Sequence, residues 1–315
     1  MTDHVTTHHE KPDAGLDPII SERQRLTGLA YRLLGSLTEA EDAVQETYAR
    51  WYAMSRRQQD TIASPGAWLT TVATRVCLDL LRSARVRRER YVGQWLPEPL
   101  PEQATWNNGH PGTTTTNPTD PADHVTLDES VSMAFLVVLE SMTPAQRVAL
   151  ILHDVFGYPF ADIAQITGRT PAACRELAST ARRRVRGTLP SQGPAAHQAR
   201  IVRDFKRAWD ARDINALVSL LAPGATFTVD GGGVVAAARH PIQGSEEIAR
   251  YLTDLATLAP ASLTISERTV NHQAGLLIEH AGVTVAVYAF NIADGHITHI
   301  WAMRNPYKLR PWTAG

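Results

Sequence analysis

Residues 160–186 read FADIAQITGRTPAACRELASTARRRVR. The first seven have the spacing of a short helix, in which Ala164 lets a second helix come close. Four residues later Gly168, followed by Arg169, supplies a turn. Thr170 then caps a second helix that has Pro171 at its first position. Ile163, Cys174 and Leu177 fall where a helix-turn-helix needs its small core. The second helix leaves Arg169, Thr170, Ala173, Arg175, Glu176 and Ser179 facing outward. In a major groove, Arg175 has the reach for guanine edges and Glu176 for a cytosine amine. Arg182, Arg183, Arg184 and Arg186 suit phosphates, which adds affinity without base choice. A plain helical hairpin with a basic end meets the same spacing. The coincidence of alanine, glycine, cap and basic tail favours the helix-turn-helix.

Upstream, helical spacing continues. Val125–Met142 reads as one helix, and a second, capped by Thr143 with Pro144 at its first position, ends near Gly157. Residues 93–124 hold six prolines and no Lys or Arg, as a linker would. Its start, WLPEPL at 95–100, places Trp and Leu where a free tether would expose them, so this piece is expected to dock. Residues 64–90 form a long helix capped by Ser64, with Trp68, Leu69, Val72, Val76 and Leu80 on its apolar stripe and a basic end. By periodicity alone Trp68 is a core residue. Arg75, Asp79 and Arg82 share another face. Residues 20–54 form two helices, the second with a capping box from Thr38 to Glu41. Residues 55–63 read as a polar loop. The formal net charge of −1 hides asymmetry: residues 18–92 carry 12 Lys and Arg against 8 acids, residues 93–130 none against 6, and residues 131–188 7 against 4. Two basic blocks around an acidic one suggest two contacts with a polyanion.

Two cysteines, Cys77 and Cys174, lie in helical apolar patterns and read as buried thiols. No apolar run approaches the roughly 18 residues of a membrane span. The first 17 residues have no hydrophobic segment and read as a disordered tail, with His8 and His9 solvated rather than metal ligands. A cytoplasmic protein with no membrane contact is expected, and no catalytic set, cofactor or metal site is read.

Downstream, the pattern changes after residue 196. Helices are expected over 199–210, 214–221 and 246–258, with Ser245 capping the last. Alternating runs at 226–230, 263–270, 276–280, 283–291 and 296–304 predict strands of a curved antiparallel sheet. Ala281-Gly282 and Asp294-Gly295 are hairpin turns.

The stretches LTGLAYRLLGSLTEAEDAVQETYARWY (26–52) and SPGAWLTTVATRVCLDLLRSAR (64–85), followed by the helix-turn-helix, resemble regions two and four of an extracytoplasmic-function sigma factor of bacterial RNA polymerase. The resemblance covers residues 22–90 and 126–188. It implies that Asp42, Gln45 and Glu46 dock on core RNA polymerase. It implies that Arg56 and Arg57, in the segment that captures a flipped base, with Trp68, Arg75, Arg82, Arg85, Arg87 and Arg88, meet the minus-ten element of promoter DNA. Residues 170–186, with Arg169, would read the minus-thirty-five element. The last domain resembles the SnoaL-like, nuclear-transport-factor-like cone of polyketide cyclases and ketosteroid isomerases. A subgroup of these sigma factors carries such a module, marked by WLPEPL-, DGGGK- and NPDKL-type motifs. Here they read WLPEPL (95–100), DGGGV (230–234) and NPYKL (305–309), with Val234 for the lysine and Tyr307 for the aspartate.

The implied architecture is multidomain: all-α region two at 18–92, a linker at 93–124, all-α region four at 125–188, a short linker at 189–196, and an α+β cone at 197–311. Trp95, Leu96, Pro97, Glu98 and Pro99, with Asp230, Gly231, Gly232, Gly233, Asn305, Pro306, Lys308 and Leu309, are expected to form an intramolecular regulatory interface. A strand end shaped only for its own turn would also explain the glycines. The cone has room for a small ligand lined by Phe227, Tyr288, Phe290, Trp301, His280 and His299. Asp230 and Tyr288 are the one acid/base pair worth weighing for isomerase chemistry, and Asp230 sits at a strand end. Two other classes stay open: a polymerase-independent helix-turn-helix regulator with a ligand-sensing domain, and a small-molecule isomerase or cyclase fused to a DNA-binding arm. The helix at 38–52 favours the sigma factor, since a stand-alone regulator has no use for it.

Overall fold

The computed structural model describes residues 16–89, 91–102, 129–188, 193–258, 260 and 262–313, with backbone alone at 16–21 and 84–89. The expected tail, most of the 93–124 linker, residues 125–128, residues 189–192 and the side chains of Arg85, Arg87 and Arg88 lie outside what is described.

Four helices open the chain: α1 (Leu16–Leu34), α2 (Leu37–Ala53), α3 (Arg56–Asp60) and α4 (Pro65–Glu89). The cap of α2 is Ser36, whose hydroxyl accepts from the Glu39 amide at 3.2 Å, so Thr38 and Glu41 do not form the expected box. Residues 55–63 are not a plain loop. Ser55 and Gln58 close a capping box that seeds α3. A 3₁₀ turn (Glu129–Val131) precedes α5 (Met133–Glu140), which Ser132 caps, so the expected helix over 125–142 is shorter at its start. Then α6 (Pro144–Leu150) runs into a π-helical turn (Ile151–Val155), α7 (Phe160–Thr167) and α8 (Pro171–Thr188). Gly168 has a left-handed φ of 67°, which ends α7 and turns the chain.

The second half holds α9 (Ala195–Asp210), α10 (Ile214–Leu220) and α11 (Ser245–Leu258) against a six-stranded sheet. Its strands are β1 (Leu221–Asp230), β2 (Ile242–Gln243), β3 (Leu263–Val270), β4 (Gln273–His280), β5 (Val283–Ala293) and β6 (His296–Met303), in the order β2-β1-β6-β5-β4-β3. Pairing is antiparallel except between β1 and β6, where Phe227 faces Ile300 in a parallel register. The sheet is therefore mixed, not all antiparallel as expected. Ala281-Gly282 and Asp294-Gly295 turn with both residues at positive φ, as does Asn271-His272.

Three cores result. The first joins helices on both sides of the linker: Leu29, Leu33, Ala73 and Cys77 share it with Leu136, Leu150, Ile163 and Cys174. The second fills the cone with Phe205, Trp209, Phe227, Leu252 and Ile300. The third lies on the outer face of the sheet, where Leu277, Val287, Ala289, Trp301 and Met303 meet Leu96 of the linker and Met133 and Ala134 of α5. Period-two alternation produces the split, with Tyr288 and Phe290 facing the cone and Val287 and Ala289 the helices.

Candidate functional site

The last residue of β1 organises the junction. The Asp230 carboxylate is fully buried. Its Oδ1 accepts from the Tyr91 hydroxyl at 2.6 Å and from the Gly232 amide at 3.0 Å. Its Oδ2 accepts from the Leu96 amide at 3.0 Å and from Lys308 Nζ at 2.8 Å. Lys308 Nζ also donates to the Leu96 carbonyl and sits 4.2 Å from the centroid of the Trp95 ring. A buried ion pair is favourable only when its remaining lone pairs and protons are satisfied, and here the linker supplies those partners. Asn305 donates to the Tyr91 hydroxyl at 2.8 Å. The 230–234, 305–309 and 95–100 segments thus meet at one point. Val234 and Tyr307 are both 60 % exposed and stand outside the buried pair.

The glycines answer to this packing. A Cβ on Gly231 would lie 2.4 Å from the Val235 carbonyl, one on Gly232 2.5 Å from the Asn305 side chain, and one on Gly233 2.9 Å from Val92. Gly232 and Gly233 also have φ of 66° and 72°, costly for any other residue. The close approach comes from the side chains of Val92, just before the linker, and of Asn305, and from the loop's own backbone.

Further along the linker, Glu98 accepts from the Ser36 hydroxyl at 2.6 Å and from the Leu37 amide at 2.7 Å, completing the cap of α2. Burial pushes its carboxyl pKa up, against the pull of Ser36 and the Leu37 amide. Pro97 and Pro99 are buried, and the Pro99 carbonyl accepts from the Trp312 indole at 2.8 Å. Pro306 is exposed and Leu309 joins the third core. Asn271 was not anticipated. Its Oδ1 accepts from the Leu100 amide at 3.0 Å, its backbone amide donates to the Leu100 carbonyl at 2.9 Å, and its Nδ2 donates to the Tyr31 hydroxyl at 2.9 Å and to the Val131 carbonyl at 2.7 Å. One hairpin residue therefore holds the linker, α1 and the segment before α5. Tyr91 and Ser36 were also missed; Tyr91 lies in no recognisable motif, whereas Ser36 opens a Ser-x-x-Glu pattern with Glu39 that the same spacing at Thr38 and Glu41 obscures.

The helical regions are clamped directly as well. Arg75 donates to the Ile166 and Gln165 carbonyls at 3.2 and 3.1 Å, at the end of α7. Arg32 reaches Ser130 at 2.7 Å, and the buried Arg147 reaches the Leu33 carbonyl at 2.7 Å. Burial lowers the Arg147 pKa to about 10. On α2, Asp42, Gln45 and Glu46 are exposed side by side. Arg56 and Arg57 are exposed on α3, Arg82 on α4 pairs with Asp79 at 3.1 Å, and Trp68 packs on Trp51 with centroids 5.3 Å apart.

Along α8, Arg169, Thr170, Arg175, Glu176 and Arg183 are exposed, while Ala173 and Ser179 are half-buried. Thr170 spends its hydroxyl on the cap, accepting from the Ala173 amide. Arg175 lies over the Phe160 ring, 5.4 Å from its centroid. Arg182 is set apart from this surface by a two-bonded pair with the buried Asp154, both contacts 2.7 Å. In this arrangement it holds α8 to the π-helical turn through Nε and Nη2.

The cone has a cavity of about 430 Å³ lined by Trp209, Ile265, Ile278 and Tyr288, with Arg212 and Arg304 among its polar groups. Phe227 and Phe290 fill the core beside it, and Trp301 packs on the opposite face, stacked on His299. His280 is exposed. Asp230 and Tyr288 serve different faces of the sheet, so they form no acid/base pair. Among the described residues no cluster of three metal-ligating side chains occurs, and no helix is long and apolar enough to cross a membrane.

Two helical units, the second with a helix-turn-helix, and an α+β cone packed on residues 91–102 between them have the architecture of a DNA-binding transcription factor with an intramolecular partner. The Sigma-70 region 2 model matches residues 19–87 and the Sigma-70 region 4 model residues 132–185. The chain is 37% identical over 298 residues to the ECF RNA polymerase sigma factor SigJ of Mycobacterium tuberculosis, covering 91% of this chain and 90% of that protein. It is 33% identical over 297 residues to the probable ECF RNA polymerase sigma factor SigI of the same species, covering 93% and 94%. The crystal structure of the SigJ protein superposes with a TM-score of 0.70 at 33% identity, over 94% of this chain and 98% of that one. The chain belongs to the extracytoplasmic-function sigma factors, which direct RNA polymerase to promoters.

Proposed function

We propose that the C-terminal α+β domain acts as a built-in restraint on this sigma factor. We take 18–92 as region two, 125–188 as region four and 197–311 as the regulatory domain. One observation carries the reading: Asp230 and Lys308, both from the α+β domain, are satisfied by Tyr91, at the end of region two, and by Leu96 of the linker between the two DNA-binding regions. A linker gripped in this way cannot extend, and promoter engagement needs the two regions to reach separate elements. In the gripped form Arg75, assigned to the minus-ten strand, is turned onto α7. The exposed Asp42, Gln45 and Glu46 meet core polymerase in the cytoplasm. Arg56, Arg57, Trp68 and Arg82 serve the minus-ten element. Arg169, Thr170, Ala173, Arg175, Glu176, Ser179 and Arg183 serve the minus-thirty-five element. No catalytic step is part of the reading.

Run-off transcription with core polymerase tests it, comparing the full chain with truncations ending near residues 195 and 305. The shorter removes the domain; the longer removes Lys308 and leaves Asp230 without its cation. Higher transcription from both is expected, and equal transcription from all three sinks the restraint. Charge reversal at Asp42 and Glu46 should abolish co-elution with core polymerase. Retained co-elution would reopen the polymerase-independent regulator.

A further inference from the structure

We propose that the cone cavity binds a small, flat, mostly apolar molecule carrying one anionic group, and that this binding strengthens the grip on the linker. The second half of the statement rests on the restraint reading above; the first does not. Three observations carry it. The walls that Trp209, Ile265 and Ile278 supply suit an apolar ring system. Tyr288 is 3 % exposed, stacks on Trp209 at 5.3 Å and borders the cavity, yet its hydroxyl has no hydrogen-bond partner among the described residues. The hydroxyl opens onto the cavity, where it is free to donate to a ligand acceptor. Arg304 brings positive charge close to both Tyr288 and Tyr251, and no ion pair of its guanidinium occurs among the described residues. An anion beside Tyr288 would find a charge-assisted donor there.

Arg304 also supplies the coupling. Its Nη1 donates to the Ala236 carbonyl at 2.7 Å, in the loop that follows the glycines. Its amide donates to the Asp230 carbonyl at 2.8 Å, and Asn305 is its neighbour. The residue that would hold the anion is thus bonded, through its side chain to Ala236 and through its backbone to Asp230, to the segment that holds the linker. A ligand shaped to the cavity found in the gripped form favours that form by its differential affinity.

The probes are 2-naphthoate and its neutral counterpart 2-naphthylmethanol, titrated calorimetrically into the full-length protein. Saturable one-to-one binding of naphthoate is expected, roughly tenfold tighter than that of the alcohol, the effect of about one charge-assisted contact. Arg304→Gln keeps a donor for the Ala236 carbonyl and should erase the preference. Tyr288→Phe should weaken both probes, and Ile278→Trp should fill the cavity and abolish binding. Circular dichroism and melting confirm that each variant folds. Hydrogen exchange reads the coupling, with slower exchange of the 231–235 amides when naphthoate is bound. Failure of both probes to saturate, or binding that survives Ile278→Trp, overturns the site. Binding without slower exchange overturns the coupling while leaving the site. The truncation assay is independent of both, so an unrestrained sigma factor and an empty cavity give different results.

Discussion

At the scale of single residues, the junction depends on charges that are buried only because each has a partner. Lys308→Met would leave the Asp230 carboxylate in a fully buried position without its cation, which costs about 3–5 kcal/mol for pairs of this kind. Denaturant melts should show that loss. Combining it with Asp230→Asn should recover at least about 1 kcal/mol of the summed single losses, because residues in contact are not additive. Glycine has the same dependence on its neighbours. Gly233→Ala drives a Cβ to 2.9 Å from Val92 at a φ of 72°, and Val92→Gly in that background should restore part of the lost stability, the remainder being backbone strain. His299 sets a pH dependence. Burial holds its imidazole below the usual range. The unfolded chain therefore takes up the proton first as pH falls, so this contribution is intact above about pH 6.5 and lost below it. The drop in Tm between pH 7 and pH 5 should be smaller in His299→Gln than in the wild type.

Among the elements, α8 carries Arg175 and Arg182 two turns apart in different surroundings, and their substitutions should separate. Arg175 is exposed on α8, so Arg175→Ala should leave the melting curve nearly unchanged. If Arg175 reads a guanine, binding to the minus-thirty-five element should weaken by about 1–3 kcal/mol, with relaxed preference at one base. Arg182 holds Asp154 through two 2.7 Å contacts, so Arg182→Ala should lower Tm before it touches base preference. Calorimetry beside fluorescence-detected binding to promoter duplexes distinguishes the two. Which elements the sequence predicts follows the same division between local and distant causes. The helix-turn-helix is legible because its alanine, glycine, threonine cap and proline all lie within eight residues, 164–171. The Ser36 cap is legible only in part: Ser36 and Glu39 have the Ser-x-x-Glu spacing, but Thr38 and Glu41 repeat it two residues on, and Glu98, which completes the cap, comes from the linker. The parallel β1–β6 pair is also not encoded locally. Strand alternation identifies each strand but not which neighbour it takes or in what direction. Motif resemblance brings Asp230, Asn305 and Lys308 to one place. Asn271 escapes it, since its role depends on a φ of 51° and on partners from three distant segments.

For the whole molecule, the arrangement of cores determines what can separate from what. The cone's own core is closed around Phe205, Phe227 and Ile300 and takes no side chain from α1–α8. The third core is shared: Val287, Trp301 and Met303 from the sheet cover Leu96 and Met133. A charge placed there should undock the domain without unfolding it, because the side chains facing the cone stay where they are. Val287→Glu puts a carboxylate into that shared layer at a position 1 % exposed in the docked form, and an unpaired buried charge is costly enough to favour separation. Small-angle scattering should then show a larger radius of gyration. Exchange of the 91–102 amides should rise, and melting of the cone should persist as a separate transition. Run-off transcription should approach that of the chain truncated near residue 195. Leu309→Ala, which trims the same layer without adding charge, should move each readout in the same direction by less. An undocked protein, proved so by scattering, that transcribes no better than the intact one would break the link between linker geometry and activity.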